Sequence, residues 1–290
     1  MVPEETTEVL VAGAGPVGMI TAILLAENGI RVRVVDKESS TATHSYSCAL
    51  HPASLQLLAE IDYERLSGPI AFEVCEFETD AELGRDVRVV LDDTTTNVLW
   101  PMPDGRCRWS FQVVVPRAAD EFPSKDRSVL VVDQPEADSQ MRRHVQELVK
   151  QRAPWFEGTI GEIVWSAEVQ FEPGVSRQFG QGHCWLAGDA AHQTGPVGMQ
   201  SMNVGMREAA ALAGHLKKIL REHGSSGLLE AYAGERREEW QQLLGTKGEP
   251  KPRIQTDPWI TSRGARILSC LPASGEHLIE LFDQIGLDLR

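Results

Sequence analysis

Two glycine-punctuated stretches carry the residues able to hold a large anionic cofactor. The first is Gly13-Ala14-Gly15-Pro16-Val17-Gly18, with the spacing GxGxxG. In such a loop the first glycine permits a tight turn, the second lets a pyrophosphate approach the main chain, and the third lets a helix pack closely on a strand. The phosphates then meet free N–H groups at the positive end of the helix dipole. Asp36, followed by Lys37, closes the next apolar run. A carboxylate there can accept both hydroxyls of an adenosine ribose. By itself this motif admits NAD or FAD. The second stretch is Gly188-Asp189-Ala190-Ala191-His192, followed by Gly195-Pro196-Val197-Gly198-Met199-Gln200-Ser201-Met202-Asn203. Asp189, at a strand end, could bond a sugar-alcohol hydroxyl. A helix beginning near Asn203 would point its N–H groups into the turn and stabilise negative charge on a ring carbonyl. A plain Gly/Pro loop with a helix cap would share the same spacing.

The surrounding elements must hold these residues in place. EVLVA reads as a strand, Pro16 to Asn28 as a helix with Gly29 at its left-handed stop, and IRVRVVD as a second strand. HPASLQLLAEI at 51–61 suggests a short helix entered through Pro52. Near Ser67 the pattern changes. AFEVCEFE, RDVRVVLDD, NVLWPMP and GRCRWSFQVVV are strand-like runs separated by ELG, DTTT and PDG turns, which predicts an antiparallel meander. A loop over 117–136 and a helix over 137–151 follow, then strands in EIVWSAEVQF, VSRQF and HCWLA. Helices are predicted over Asn203 to Glu222 and over 228–244, the second packing on the first.

In GRCRWSFQV, Arg106, Arg108, Ser110 and Gln112 share one face, while Cys107, Trp109, Phe111 and Val113 share the other. The period does not say which face meets a pocket. Trp100, Met102, Trp109, Phe111 and His192 are candidate substrate contacts. Sheet core is the competing reading for Trp109 and Phe111, and packing or hydrogen bonding for His192.

Composition narrows the partners. With 42 acidic against 28 basic residues in 290, the net charge is −14, which disfavours nucleic acid and anionic membranes. The five cysteines, Cys48, Cys75, Cys107, Cys184 and Cys270, form no CxxC and no zinc spacing. They read as reduced thiols of a cytoplasmic protein without a metal. MVPEETTEVL lacks an apolar signal core, and no apolar run reaches membrane length.

The pair GAGPVG…Asp36 and GDAAHQTGPVGMQSMNVGMREA resembles the FAD-dependent aromatic hydroxylases, the single-component flavoprotein monooxygenases of the para-hydroxybenzoate hydroxylase fold. LHPASLQLL, WPMPDGRCRWSFQ and AYAGERR are also similar to stretches of that family. The resemblance implies an α/β fold, with a Rossmann-like FAD-binding part and a β-sheet-rich substrate part. Residues 1–66 and 176–247 would form the former, 67–175 the latter, and 248–290 a tail. Asp189 would bind the FAD ribitol or pyrophosphate. Pro196 would lie beside the isoalloxazine, next to Gly198, Met199 and the substrate, and the Met202 and Asn203 amides would face the pyrimidine carbonyl. NADH or NADPH would reduce FAD, and O2 would form a C4a-hydroperoxyflavin. That species would hydroxylate or epoxidise a hydrophobic aromatic or polyketide-like substrate. No catalytic triad is expected, and homodimer formation is left open.

Three departures stand out. The family's middle motif, an Asp-Gly pair followed by Ser and Arg, has no counterpart, since only DYERLSGPI separates Ile61 from Ala71. Tyr46 stands where many members carry arginine, and Gly195 and Met199 stand in place of proline and glycine. Three readings follow: a compact monooxygenase gripping FAD with its two remaining motifs, a family-derived non-redox binding or cyclase-like accessory protein of natural-product biosynthesis, or a shortened, inactive gene product.

Overall fold

A strand of alternating burial needs a helix on its apolar side, and a glycine past the helix end lets the chain return. Both conditions are met at the start of the chain. The computed structural model describes residues 6–37, 63–65, 70–113, 135–171, 173–195, 197, 200–246, 249–271 and 273–289. The predicted helix over 51–61, Tyr46 and most of the predicted loop over 117–136 lie outside these residues. Two compact units form, one from Met1–Ser67, Pro173–Thr194 and Gly198–Arg290, the other from Gly68–Glu172 and Gly195–Val197.

In the first unit β1 (Val9–Ala12) and β2 (Val32–Val35) pair in parallel, Val9 opposite Val32 and Ala12 opposite Val35. The connecting helix α1 (Pro16–Glu27) starts on a proline, whose missing N–H no helix needs at that position. Gly29, at φ +71°, stops it, and Ile30 donates its N–H to the Leu25 carbonyl. Leu25 and Ile30 bury with Ala213 and pack against Val9, Leu24, Val32 and Leu216. A short strand, β3 (Tyr63–Arg65), belongs to the same unit.

The second unit is a five-stranded antiparallel sheet. Its strands are β4 (Ile70–Glu78), β5 (Arg88–Leu91), β6 (Thr96–Met102), β7 (Arg106–Val113) and β8 (Ile163–Phe171), in the order β5-β6-β7-β4-β8. Strands β5 to β7 follow one another as the turns predict, with Asp104 and Gly105 both left-handed at the last turn. Strand β4 departs from chain order and sits between β7 and β8. Its near-continuous buried run, Phe72 to Phe77 broken only by Glu73, suits a position flanked on both edges. Helix α2 (Pro135–Arg152) covers one face of the sheet. Val145, Val149 and Ala153 meet Cys75, Phe77, Leu99, Cys107, Trp109 and Phe111 in one buried cluster.

The remaining elements complete the first unit. Gly174–Ser176 is the middle strand of a three-stranded sheet, between β3 and His192–Gln193. The predicted strand in HCWLA is reduced to Cys184–Trp185, paired with Gly180–Gln181. Gly182, at φ +60°, forms the turn from which this pairing starts, and past Leu186 the chain leaves it for the left-handed Gly188. Helices α3 (Gln200–Glu222) and α4 (Gly227–Leu243) follow, packed on one another. Residues 249–289 add three short helices, and Lys251–Pro252 pairs with Leu287–Asp288. Among the described residues no helix is long and apolar enough to cross a membrane.

Candidate functional site

The loop between β1 and α1 takes its shape from three glycines. Gly13 sits at φ +110°, which a side chain would strain. A β-carbon on Gly18 would stand 2.0 Å from the Gly13 carbonyl oxygen, so only glycine fits there. A β-carbon on Gly15 would meet nothing within 4 Å, which leaves the approach to the α1 N-terminus open. The first turn of α1 holds no acidic side chain of its own, so its N–H ends present positive potential to the loop. Parallel pairing carries the end of β2 to this loop. Gly13 donates its N–H to the Val35 carbonyl at 2.8 Å, and Ala14 donates to Asp36 Oδ2 at 2.6 Å. Asp36 and Lys37 are exposed beside it. Open backbone, helix N-terminus and adjacent carboxylate fit the adenosine and pyrophosphate half of FAD.

The second motif docks on the first. Residues Gly188–Ala190 form a single 3-10 turn entered at φ +65°. A β-carbon on Gly188 would lie 2.8 Å from Val17 Cγ2. One on Gly205, in α3, would lie 2.8 Å from the same methyl and 3.1 Å from Gly188 Cα. Val17 of the first motif is therefore seated against two glycines, one of which the sequence reading passed over. Its signal was a glycine inside a helical pattern, which often marks a close approach.

Asp189 is exposed and accepts the Ser201 hydroxyl proton on Oδ1. Met202 and Asn203 are exposed in the first turn of α3. Pro196, Gly198 and Met199 lie outside the described residues. Gly195 belongs to the sheet unit, and a β-carbon on it would stand 3.5 Å from the Phe72 ring.

A buried carboxylate supports the turn. Glu208 of α3 is fully buried. Its Oε2 accepts the Gly188 N–H at 2.7 Å and bonds His192 Nε2 at 2.9 Å. Its Oε1 accepts the Trp240 indole N–H at 2.6 Å. The His192 ring stacks on Trp240 with centroids 3.7 Å apart. Glu208 was invisible in the sequence, where it reads as one more helix charge.

Three candidate substrate contacts are buried, which favours the competing reading of each. His192 is fully buried in this network, packed on Trp240 and hydrogen-bonded to Glu208. Trp109 and Phe111 are buried under α2, stacked on one another with centroids 5.1 Å apart, and belong to the sheet core. Their neighbour Cys107 is buried with them, and burial, aided by the Glu76 carboxylate, pushes its thiol up to about 12. Trp100 and Met102 pair with Arg108 and Arg106, so all four project from the opposite face of the sheet and are partly exposed. There the buried Glu76 accepts bonds from Arg106 at 3.1 Å, Arg108 at 2.9 Å and the Trp165 indole at 2.9 Å.

A family model described as FAD binding domain matches residues 6–72 and 75–246. A 6-methylpretetramide 4-monooxygenase of Streptomyces rimosus is 27% identical, covering 81% of this chain and 60% of the relative. The chain thus spans less than two thirds of that relative's length. The alignment runs over 338 positions, more than the 290 residues of this chain, so the relative carries stretches that this chain lacks. Among solved structures, a p-nitrophenol 4-monooxygenase from Pseudomonas putida superposes with a TM-score of 0.60 at 17% identity, covering 98% of this chain and 94% of that one. A Diels-Alderase of the pyrroindomycin biosynthetic pathway superposes with a TM-score of 0.59 at 14% identity, covering 96% and 76%. Together with the paired glycine motifs, the match over most of its length makes this chain a member of the FAD-binding-domain family of aromatic hydroxylases and flavoprotein monooxygenases.

Proposed function

We propose that the protein is an FAD-dependent monooxygenase that uses NADH or NADPH and O2 to hydroxylate or epoxidise a hydrophobic, aromatic or polyketide-like small molecule. The observation that carries this reading is the seating of Val17 between Gly188 and Gly205, which joins the two glycine motifs into one surface. FAD, when bound, supplies the two-electron chemistry with nicotinamide and dioxygen. The chain supplies the grip. Gly13 to Gly18 and the α1 N–H groups take the pyrophosphate, Asp36 the adenosine ribose, and Gly188 and Asp189 the ribitol. Met202 and Asn203, at the start of α3, flank the ring. Trp100 and Met102, on the sheet face that α2 leaves uncovered, are with Pro196 the favoured candidates for substrate contact. The test is an absorbance spectrum of the protein with FAD, then NADPH under air. A bound-flavin spectrum with NADPH and O2 consumption is expected. Absence of both overturns the reading.

A second reading is a binding or cyclase-like protein without flavin turnover. The unmatched positions in the alignment with the Streptomyces relative favour it, and a Diels-Alderase shares the fold. FAD binding without NAD(P)H consumption supports this alternative, and substrate-dependent O2 consumption rules it out.

A further inference from the structure

We infer that Glu208 is a positioning residue, one that holds Asp189 in register for the cofactor through the Gly188 amide. The inference rests on the reading that Asp189 takes the ribitol of FAD.

The argument starts from cost. A fully buried carboxylate is stable only when donors converge on it. Here three do, from three separate segments: the Gly188 amide at 2.7 Å, His192 Nε2 at 2.9 Å and the Trp240 indole at 2.6 Å. The backbone and indole N–H groups can only donate, so the carboxylate is the acceptor for both. His192 Nε2 meets the same oxygen that holds the Gly188 amide, and among the described residues its Nδ1 is a buried atom without a hydrogen-bond partner. A core plug would satisfy these groups equally well from any direction. The position of Glu208 on α3 is more specific. Ser201, Gly205 and Glu208 are spaced i, i+4, i+7 and so share one face of the helix. All three meet the second motif. Ser201 bonds the Asp189 side chain, Gly205 admits Gly188 to close contact, and Glu208 holds the Gly188 N–H. Asp189 is thus fixed through its side chain and, one residue earlier, through its backbone. Gly188 at φ +65° has no side chain of its own to steady the turn, so its N–H, donated to Glu208, anchors the turn to α3.

The experiment separates positioning from stability by using two ligands. ADP probes the first motif alone, and FAD probes both. Wild-type protein, Glu208→Gln, Trp240→Phe and the double variant are titrated with each ligand, and the melting of each unliganded chain is recorded. Glu208→Gln sets an amide N–H against donors, so FAD affinity is expected to fall by roughly tenfold or more, while ADP affinity stays within about twofold. Trp240→Phe removes the Oε1 bond and part of the stacking on His192 but leaves the Gly188 N–H bond to Oε2, so it is expected to lower the melting temperature while leaving FAD affinity close to wild type. In the double variant the introduced carboxamide can turn its N–H away from Gly188, so much of the FAD affinity is expected to return. Equal loss of FAD and ADP affinity in Glu208→Gln overturns the inference, as does an unchanged FAD affinity. So does a loss of FAD affinity in Trp240→Phe as large as that in Glu208→Gln. Failure of the wild-type chain to bind FAD at all overturns the flavoprotein reading, and this inference with it.

Discussion

Replacing Gly205 by alanine should destabilise the protein although the residue lies inside a helix. Helix propensity alone favours alanine over glycine by about 1 kcal/mol. Packing opposes it. The new methyl would lie 2.8 Å from Val17 Cγ2 and 3.1 Å from Gly188 Cα, and the second of these is backbone that cannot swing aside. Overpacking of this kind costs about 1–3 kcal/mol, so a net loss of roughly 1 kcal/mol is expected. Val17→Ala removes the methyl that clashes. In that background the 3.1 Å approach to Gly188 Cα remains, so Gly205→Ala should cost less than in the wild type and fall within about 1 kcal/mol of neutral. The two substitutions then couple by about 1 kcal/mol. Urea denaturation of the four proteins, read by linear extrapolation, measures the cycle. FAD titration should follow the same pattern, because displacing Gly188 displaces Asp189. Stabilisation by Gly205→Ala alone, or additivity within about 0.5 kcal/mol, would refute the claim that Val17 joins the two motifs.

Further outcomes follow from other contacts. Asp36→Ala and Asp189→Ala should each weaken FAD binding by about 1–3 kcal/mol in a fluorescence titration, and unchanged affinity in both would sink the two-motif grip. The Glu8 carboxyl is held down from its ordinary 4.5 to about 2, first by the hydrogen bond from Arg221 and then by the Arg31 amide. A carboxyl depressed on folding stabilises the fold above its unfolded value, and that contribution is lost as pH falls towards its folded value. Melting temperature should therefore drop as pH falls from about 4.5 towards 2, and Glu8→Gln should flatten that part of the curve. Trp109→Ala should cost about 3–5 kcal/mol in chemical denaturation, as for a large core aromatic. A loss below about 1 kcal/mol would mean that Trp109 is not the centre of the sheet core.

Much of the local architecture was legible because its physics is local. Gly13 at φ +110° and Gly29 at +71° are backbone requirements that a glycine announces. Helices α1, α3 and α4 and the hairpins of β5 to β7 follow from periodicity and turn residues a few positions apart. HCWLA misled because apolar composition cannot show that the pairing begun at the Gly182 turn gives way to the left-handed Gly188 a few residues on.

The sequence by itself determined that two cofactor-type glycine motifs exist and that a strand-rich region separates them, since each needs only neighbours in the chain. The tertiary structure decided three other things. It seated Val17 between Gly188 and Gly205, and it placed β4 between β7 and β8. It also turned Trp109 and Phe111 into core by laying α2 over their face, leaving Trp100 and Met102 on the other. A period of two marks two faces but is symmetric between them, and only a packed partner distinguishes one from the other. Glu208 shows the same limit for charge. On a helix it is an ordinary acid, and it becomes the support of the second motif only where Gly188, His192 and Trp240 converge on it.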